Sequence, residues 1–584
     1  MRSYRYILSI SALVLALAYT LWFVFAGFGN HQDPLYWLYK YEHLEGGWMA
    51  VGTLLTGGAI VKIFGAQLLP LRLFGWLCTT TAIALPYGCL LTKEQRRENL
   101  HWLALTYLFM GYGAFQEFSP GTLSVLLLSL LWVTSVRDDS LRSASDNVSP
   151  ACEVSTPAKT FFCGWGAQKH ECGAACFLRS NLRASLPAIL LGLAVAARFP
   201  NILALLILIP LWRKRSLWLI PIAAVTVGLV YLLGICLITP AVTDAAMGSH
   251  DLWAMVTKLW EKGGLLVGML LLSVGVLAIG EVVVRYPRSM YSLKNVAERV
   301  GDAEHEYGAV RFLRSSIRAL PTGLLVGTLL VYFVAYATKP FQWYNIDMTY
   351  LVSALCLVIA LRQFSIFHFQ FSIGAALLIV ATLGTDTAWL KLFPAVLCLL
   401  PVAAVHYEES MRRYLCGVLA VLAVIVMVRM TTNSVGQSNL TQVNTISSVS
   451  PYKGIAIRDI EEQRMNQYIA DYDSLQSTIS NIQCPILSIG QDMLLMRAVT
   501  GCEAAKFNEF WSNIFDSVYT DKYCDIIVEE RPIVFCSFSP QFKTKKTYKD
   551  KESRMEQMLL EEGYTPLDRS KYKYMIYIPG ASSR

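Results

Sequence analysis

Charge is scarce in this chain. Only 16% of its 584 residues are Asp, Glu, Lys or Arg, against roughly 25% in an ordinary soluble domain, and 54% are hydrophobic. That balance excludes a soluble globular protein. The sequence also lacks a Walker A loop, a nucleophile elbow built on Gly-x-Ser-x-Gly, a His-Glu-x-x-His helix motif and a glycine-rich nucleotide fingerprint. ATP-driven transport and soluble-type nucleotide chemistry therefore have no support. No internal repeat is present. What the chain does have is a series of apolar runs near 20 residues long, recurring from Ile7 to Met430. A secretory signal would supply one run of about 7 to 15 residues, so the series reads as membrane helices. The formal charge of +8 comes from Lys and Arg lying between those runs, where the positive-inside bias places them, and no nucleic-acid partner is expected.

Applying that bias gives a topology. Arg2 and Arg5 precede a first span, Ile7 to Phe28, and set the N-terminus in the cytoplasm. A long outer loop follows, residues 29–67. Its stretch Gly47 to Gly65 is apolar but broken by five glycines, which suits a helix lying at the interface or packed on the bundle better than a span. A second span, Leu68 to Leu91, returns to Lys93, Arg96 and Arg97. Spans at Trp102 to Phe115 and Thr122 to Val136 are joined by an outer turn containing Glu117. Residues 137–185 read as a flexible cytoplasmic insert. Beyond it, the run interrupted at Arg198-Phe199-Pro200-Asn201 leaves about a dozen residues on either side, each too short to cross a core about 30 Å thick. This is expected to be a hairpin of short helices with Arg198 at its tip. Spans at Leu217 to Thr239 and Leu265 to Val284 follow, then a cytoplasmic loop, Arg285 to Arg318, with seven Lys or Arg residues. The last spans are read at Thr322 to Ala337, Met348 to Leu361, Phe371 to Leu383, Trp389 to Val405 and Tyr414 to Val428.

The expected fold class is a polytopic α-helical membrane protein of about 11 to 13 membrane helices, carrying a small C-terminal extracytoplasmic α/β domain. The membrane part occupies residues 1–430 and the α/β part residues 431–584. In the latter, Ile455 to Ile457, Ile486 to Ile489, Ile533 to Phe538 and Tyr574 to Ile578 read as strands. Ile460 to Ile479, Asn508 to Val518 and Lys549 to Glu562 read as helices. Fourteen cysteines divide by compartment. The insert's Cys152, Cys163, Cys172 and Cys176, with His170, lack the paired spacing of a zinc ribbon and read as reduced thiols. Cys484, Cys502, Cys524 and Cys536 lie on the oxidising side, and their pairing is open.

Polar residues collect on one side of this topology. Asp33 lies just beyond the first span, with Glu42 and Glu45 after it, and Glu117 sits in the next outer turn. Arg72 starts the second span, Arg198 tips the hairpin, and Lys339, Asp386 and Lys391 mark later outer ends. Carboxylates and cations gathered at one membrane face suit an anionic lipid headgroup together with an acid acting as general base. The outer aromatics Phe341, Trp343 and Tyr344 read as an interfacial belt.

Three features together resemble a known family. They are an acid soon after the first span, a glycine-containing amphipathic stretch leading to Phe64-Gly65-Ala66-Gln67-Leu68-Leu69-Pro70-Leu71-Arg72-Leu73, and the run Leu191-Gly192-Leu193-Ala194-Val195-Ala196-Ala197-Arg198-Phe199-Pro200-Asn201. The chain resembles polyprenyl-phosphate-sugar-dependent glycosyltransferases of the GT-C superfamily, the group of the protein mannosyltransferases and the aminoarabinose transferase of lipid A. The resemblance implies a polyprenyl-phosphate-linked sugar donor and transfer at the outer face of a bacterial inner membrane, onto a glycan, lipid or protein acceptor. It implies Asp33 as the base that deprotonates the acceptor hydroxyl. Many members of that family carry a second acid directly after the first. Pro34 stands there in this chain, and Glu117 is the remaining candidate for a second carboxylate. Arg198, Arg72, Lys339 and Lys391 are the candidates for binding the donor phosphate. No cofactor is demanded, and a divalent metal is left open. Two other readings fit the composition: a transporter or flippase, and a non-catalytic envelope-assembly protein.

Overall fold

A computed structural model describes residues 2–27, 32–111, 118–146, 185–215, 218–240, 269–271, 273–280, 352–360, 369–380, 388–432, 440–478, 486–489, 493–501, 517–536, 556–569 and 574–580. The chain is mostly helical. Its helices are α1 (Arg2–Phe25), α2 (Gln32–His43), α3 (Val51–Phe64), α4 (Leu68–Leu90), α5 (Lys93–Glu98), α6 (Leu100–Leu108) and α7 (Pro120–Asp146). Next come α8 (Ser185–Ala197), a 3-10 turn (Phe199–Leu203), α9 (Ala204–Arg215) and α10 (Leu219–Leu237). They are followed by α11 (Met269–Gly280), α12 (352–360), α13 (Phe369–Val380), α14 (Ala388–Val405) and α15 (Glu409–Thr432). Among the described residues, four helical stretches are long and apolar enough to cross a membrane: Tyr6–Phe25, Leu68–Leu90, Leu219–Leu237 and Glu409–Val428. The glycine-broken stretch of the first loop is helical, as expected, but it follows a second loop helix, α2, that hydropathy did not reveal. The expected insert begins later than residue 137, because α7 continues to Asp146. The remaining insert residues with the Cys152, Cys163, Cys172, Cys176 and His170 group, the span at Thr322 to Ala337, the aromatic run at 341–344, and Asp386 all lie outside the described residues.

The helices form a bundle in which α4 packs on α7, α1 on α6, and α14 on α4. A core of buried side chains runs through it, with Trp102, Trp132 and Phe109 almost wholly enclosed. One end of the bundle is basic. There Thr92 caps α5 in a reciprocal capping box with Gln95, the Arg97 guanidinium lies 5.0 Å from the Tyr6 ring, and Arg412 donates to Asn99 Oδ1 at 3.1 Å. These contacts put the start of α1, the end of α4, the start of α6 and the start of α15 together.

The opposite end is organised differently. The backbone amide of Gly27, beyond α1, donates to Ala456 O at 2.8 Å, and that of Leu68, opening α4, donates to Pro451 O at 3.0 Å. A second apolar core therefore joins the first loop to the C-terminal region. Leu35, Tyr36 and Tyr41 of α2 and Leu54 of α3 share it with Tyr452, Ile455, Met465 and Tyr468. Fully burying a side chain of this size is worth roughly 1.5–3 kcal/mol against leaving it in water, so the C-terminal region is held by packing and not only by a tether.

That region contains α16 (Asp459–Thr478), α17 (Met493–Thr500), α18 (Ser517–Glu530), a short helix at 556–561, and a four-stranded sheet. The sheet runs β5 (Ile486–Ile489), β6 (Ile533–Cys536), β8 (Tyr574–Pro579), β7 (Tyr564–Arg569) in spatial order, with strands numbered along the chain after two short pairs. Those pairs involve β1 (Glu45–Gly46) with β2 (Thr239–Pro240), and β3 (Thr445–Ile446) with β4 (Ala456–Ile457). β5 and β6 are parallel, whereas β6 to β8 and β8 to β7 are antiparallel. All four residues of β6 are buried, as its unbroken Ile-Val-Phe-Cys run requires of a central strand. Two elements escaped the periodicity. β7 carries Pro566 and Asp568, which a strand tolerates only at a sheet edge, and α17 is just eight residues long. The expected helix Asn508 to Val518 falls mostly outside the described residues, where α18 begins only at Ser517. The expected helix Lys549 to Glu562 is described only over 556–561.

The loop glycines act by closeness. A Cβ on Gly57 would overlap the Tyr41 ring, and one on Gly52 would lie 3.0 Å from the Ala196 carbonyl carbon and the Ala197 amide nitrogen. Gly65, at φ +83°, ends α3 with its amide bonded to Val61 O at 2.8 Å. We expect Gly57→Val to force α2 and α3 apart and to cost about 1–3 kcal/mol, read as a lowered thermal midpoint of the purified protein.

Candidate functional site

The candidate site is the end of the bundle opposite the basic end, and it is assembled by hydrogen bonds between distant segments. Asp33 lies in the first turn of α2. The rest of α2 is fixed from several sides. Tyr41 donates to Phe118 O at 3.1 Å, and the Phe118 amide donates to Leu71 O at 3.0 Å. Arg72, buried at 4% exposure, donates through Nη1 to Gly27 O at 2.9 Å. The carbonyl at the end of α1 has no partner in its own helix, and the Arg72 guanidinium supplies one.

α3 connects this assembly to the helix break. Thr53, fully buried, donates to Ala197 O at 2.8 Å, and Gly52 lets the two backbones touch at that point. Arg198 follows immediately, half-buried and in an extended conformation at φ −160°. Its amide donates to Ala194 O, and its carbonyl accepts from the Asn201 amide, both at 3.0 Å. Asn201 is the buried clasp of the break. Its Nδ2 donates to Ser124 Oγ at 2.9 Å and to Ala194 O at 2.8 Å, while Oδ1 has no hydrogen-bond partner among the described residues. Asn201→Ala removes two buried bonds and leaves the Ser124 hydroxyl short of a donor. The expected cost is about 1–3 kcal/mol, measured as a fall in thermal midpoint.

Of the sequence candidates, Arg72, Arg198 and the helix bearing Asp33 therefore meet at one end. Glu117 lies outside the described residues, although its neighbour Phe118 is pinned between α2 and α4. Lys339 is likewise outside them. Lys391 falls in the first turn of α14, where only the backbone is described. Among the described residues no cluster of three or more His, Cys, Asp or Glu has the arrangement of a metal site.

No protein-family model matches the chain, and no curated protein matches it. It is similar to a solved structure. The crystal structure of an oligosaccharyltransferase from Archaeoglobus fulgidus, in complex with Zn and sulfate, aligns over 97% of this chain and 73% of its own, at 12% identity and a TM-score of 0.42.

Hydropathy did not single out the remaining polar residues at this end. Lys40 is buried at 4% exposure, with Nζ 4.6 Å from the centre of the Tyr36 ring one turn earlier on α2. Tyr39 donates to Glu45 Oε2 at 2.8 Å. Burial pushes the Tyr39 phenol above its ordinary pKa, with Arg497 pulling it down and Glu45 pushing it up, so it remains a donor at neutral pH. Arg497 of α17 stands 3.8 Å from the centre of the same ring. One signal in the sequence marked Arg497, namely a single cation inside the otherwise uncharged run Met493 to Thr500.

Proposed function

We propose that the chain is an integral membrane glycosyltransferase of the GT-C type, working at the end where α2, α4 and the Arg198 break converge. In this reading that end faces outward from a bacterial inner membrane, the basic end faces the cytoplasm, and residues 431–584 form an outer α/β domain. The substrate is a sugar carried on a polyprenyl phosphate. The acceptor hydroxyl oxygen attacks the anomeric carbon as the bond from that carbon to the phosphate oxygen breaks. The configuration inverts and the lipid phosphate departs. Asp33 takes the hydroxyl proton, and Arg198 stabilises the charge growing on the leaving phosphate. Glu117, Lys339 and Lys391 are further contacts to substrate, and Arg72 supports the frame on which they act.

The observation that carries this reading is the bridge made by α3. One face of α3 packs on the helix of Asp33 at Gly57 and Tyr41, and its start is bonded to Ala197 beside Arg198. An acid and a cation supplied by segments far apart in sequence are thereby tied to one rigid element, as a base and a phosphate ligand for one substrate must be. The test is to purify the wild-type protein in detergent with its bound lipids, identify those lipids by mass spectrometry, and follow sugar release from radiolabelled polyprenyl-phosphate sugars. Turnover with polyprenyl phosphate as product supports the reading. Failure to bind or consume any member of a broad donor panel removes it.

A further inference from the structure

The C-terminal region touches the helix of Asp33 through one buried cation. Arg497 is 5% exposed, and its guanidinium carbon lies 3.8 Å from the centre of the Tyr39 ring on α2. Among the described residues its Nη1 has no hydrogen-bond partner and no carboxylate pairs with it, the ion pairs there being Arg413 with Glu409 and Arg458 with Glu461. A buried guanidinium is costly unless something compensates its charge. Here the compensation comes from the face of Tyr39, whose hydroxyl is in turn committed to Glu45 at 2.8 Å. The Tyr39 ring is thus held from both ends. Its face is under a cation from the C-terminal region, and its hydroxyl is on a carboxylate at the start of β1. Around this contact α17 packs along α2, and Leu495 and Met496 share one apolar core with Leu35 and Leu38.

We infer that Arg497 is a positioning residue, which fixes the rotation and depth of α2 through Tyr39 and so sets where Asp33 stands relative to the Arg198 break. The inference rests on the proposed transferase function for its kinetic consequence, and on the packing alone for its structural one. An α2 without this contact is still covered by apolar side chains, but apolar contacts permit sliding and rotation that a cation seated over a ring does not. Arg497 touches no reacting atom. Its effect on chemistry passes through the orientation of one helix.

The experiment uses the full-length protein in detergent and the variants Arg497→Leu, Arg497→Lys and Tyr39→Phe. Hydrogen exchange is followed by mass spectrometry over peptides of residues 34–43 and, as a fold control, residues 459–478. Arg497→Leu is expected to speed exchange in 34–43 by about tenfold and to leave 459–478 unchanged, the size expected for losing one desolvated cation–π contact. Arg497→Lys keeps the charge and is expected to restore most of the protection, and Tyr39→Phe keeps the ring but loses its bond to Glu45 and is expected to speed exchange by less than Arg497→Leu does. With a turning-over donor, Arg497→Leu is expected to lower kcat by about tenfold without raising KM for the lipid. Unchanged exchange in 34–43 overturns the inference, as does faster exchange in both regions, which would make Arg497 a general stabiliser of the C-terminal region. Should wild type transfer no sugar from any donor, the transferase reading falls while the exchange result still decides whether Arg497 positions α2.

Discussion

Asp33→Asn is expected to lower sugar transfer by a factor of about 10²–10⁴, the usual contribution of a positioned general base, with donor binding retained. The substitution conserves size and polarity, so a simple loss of packing is a poor explanation for such a fall. Only the ability to accept a proton is removed. Asp33 sits in the first turn of α2 and is followed by Pro34, whose missing amide proton is no loss in a first turn. Measured sugar release from a polyprenyl-phosphate donor, beside bound lipid quantified by mass spectrometry, separates chemistry from binding. Equal release by wild type and variant would remove Asp33 from the mechanism and favour transport or an assembly role.

The parts of this architecture that sequence revealed are those encoded locally. Gly47 to Gly65 reads as a helix rather than a span because glycine reduces both helix propensity and hydrophobicity; the structure contains the helix and shows what its glycines permit. Gly57 admits the Tyr41 ring, and Gly52 admits the backbone of Ala196 and Ala197. The break at Arg198 was legible because Pro200 ends α8 and because each half of that run is too short to cross a bilayer. Ile486 to Ile489 was found to the residue, since a short, largely apolar run bounded by Pro485 and Gly490 has few alternatives.

What escaped was non-local or weakly patterned. Nothing within Gln32 to His43 is apolar enough to mark α2, because that helix is buried under the C-terminal region and not in lipid, and so keeps Lys40, Glu42 and His43. β7 was missed because an edge strand is allowed the Pro566 that a central strand is not. The pairing of Arg497 with Tyr39 joins opposite ends of the chain, and no spacing rule spans that separation. The role of Arg72 also depended on tertiary context. Its position beside the outer end of a span is equally suited to a lipid phosphate and to the carbonyl of Gly27, and the structure gives it the carbonyl.

That difference between the two arginines yields the second large effect. Arg198→Gln is expected to reduce kcat/KM for the donor by about 10²–10³, the loss typical of one preorganised contact to developing charge, with little change in thermal midpoint. The break it occupies is held by several bonds of the main chain and of neighbouring side chains. The Arg198 amide and carbonyl are engaged by Ala194 and Asn201, Thr53 holds Ala197, and the Asn201 side chain clasps Ala194 and Ser124. None of these bonds uses the guanidinium that the substitution removes. Arg72→Gln should behave in the opposite way. It strands the Gly27 carbonyl beside Ala456, at the seam between α1 and the C-terminal region, and is expected to cost about 1–3 kcal/mol of stability. Surviving Arg72→Gln protein should keep more activity than Arg198→Gln does. Kinetics and thermal unfolding on the same two preparations check both halves, and a variant pair with the reverse pattern would move the proposed phosphate ligand from the Arg198 break to the start of α4.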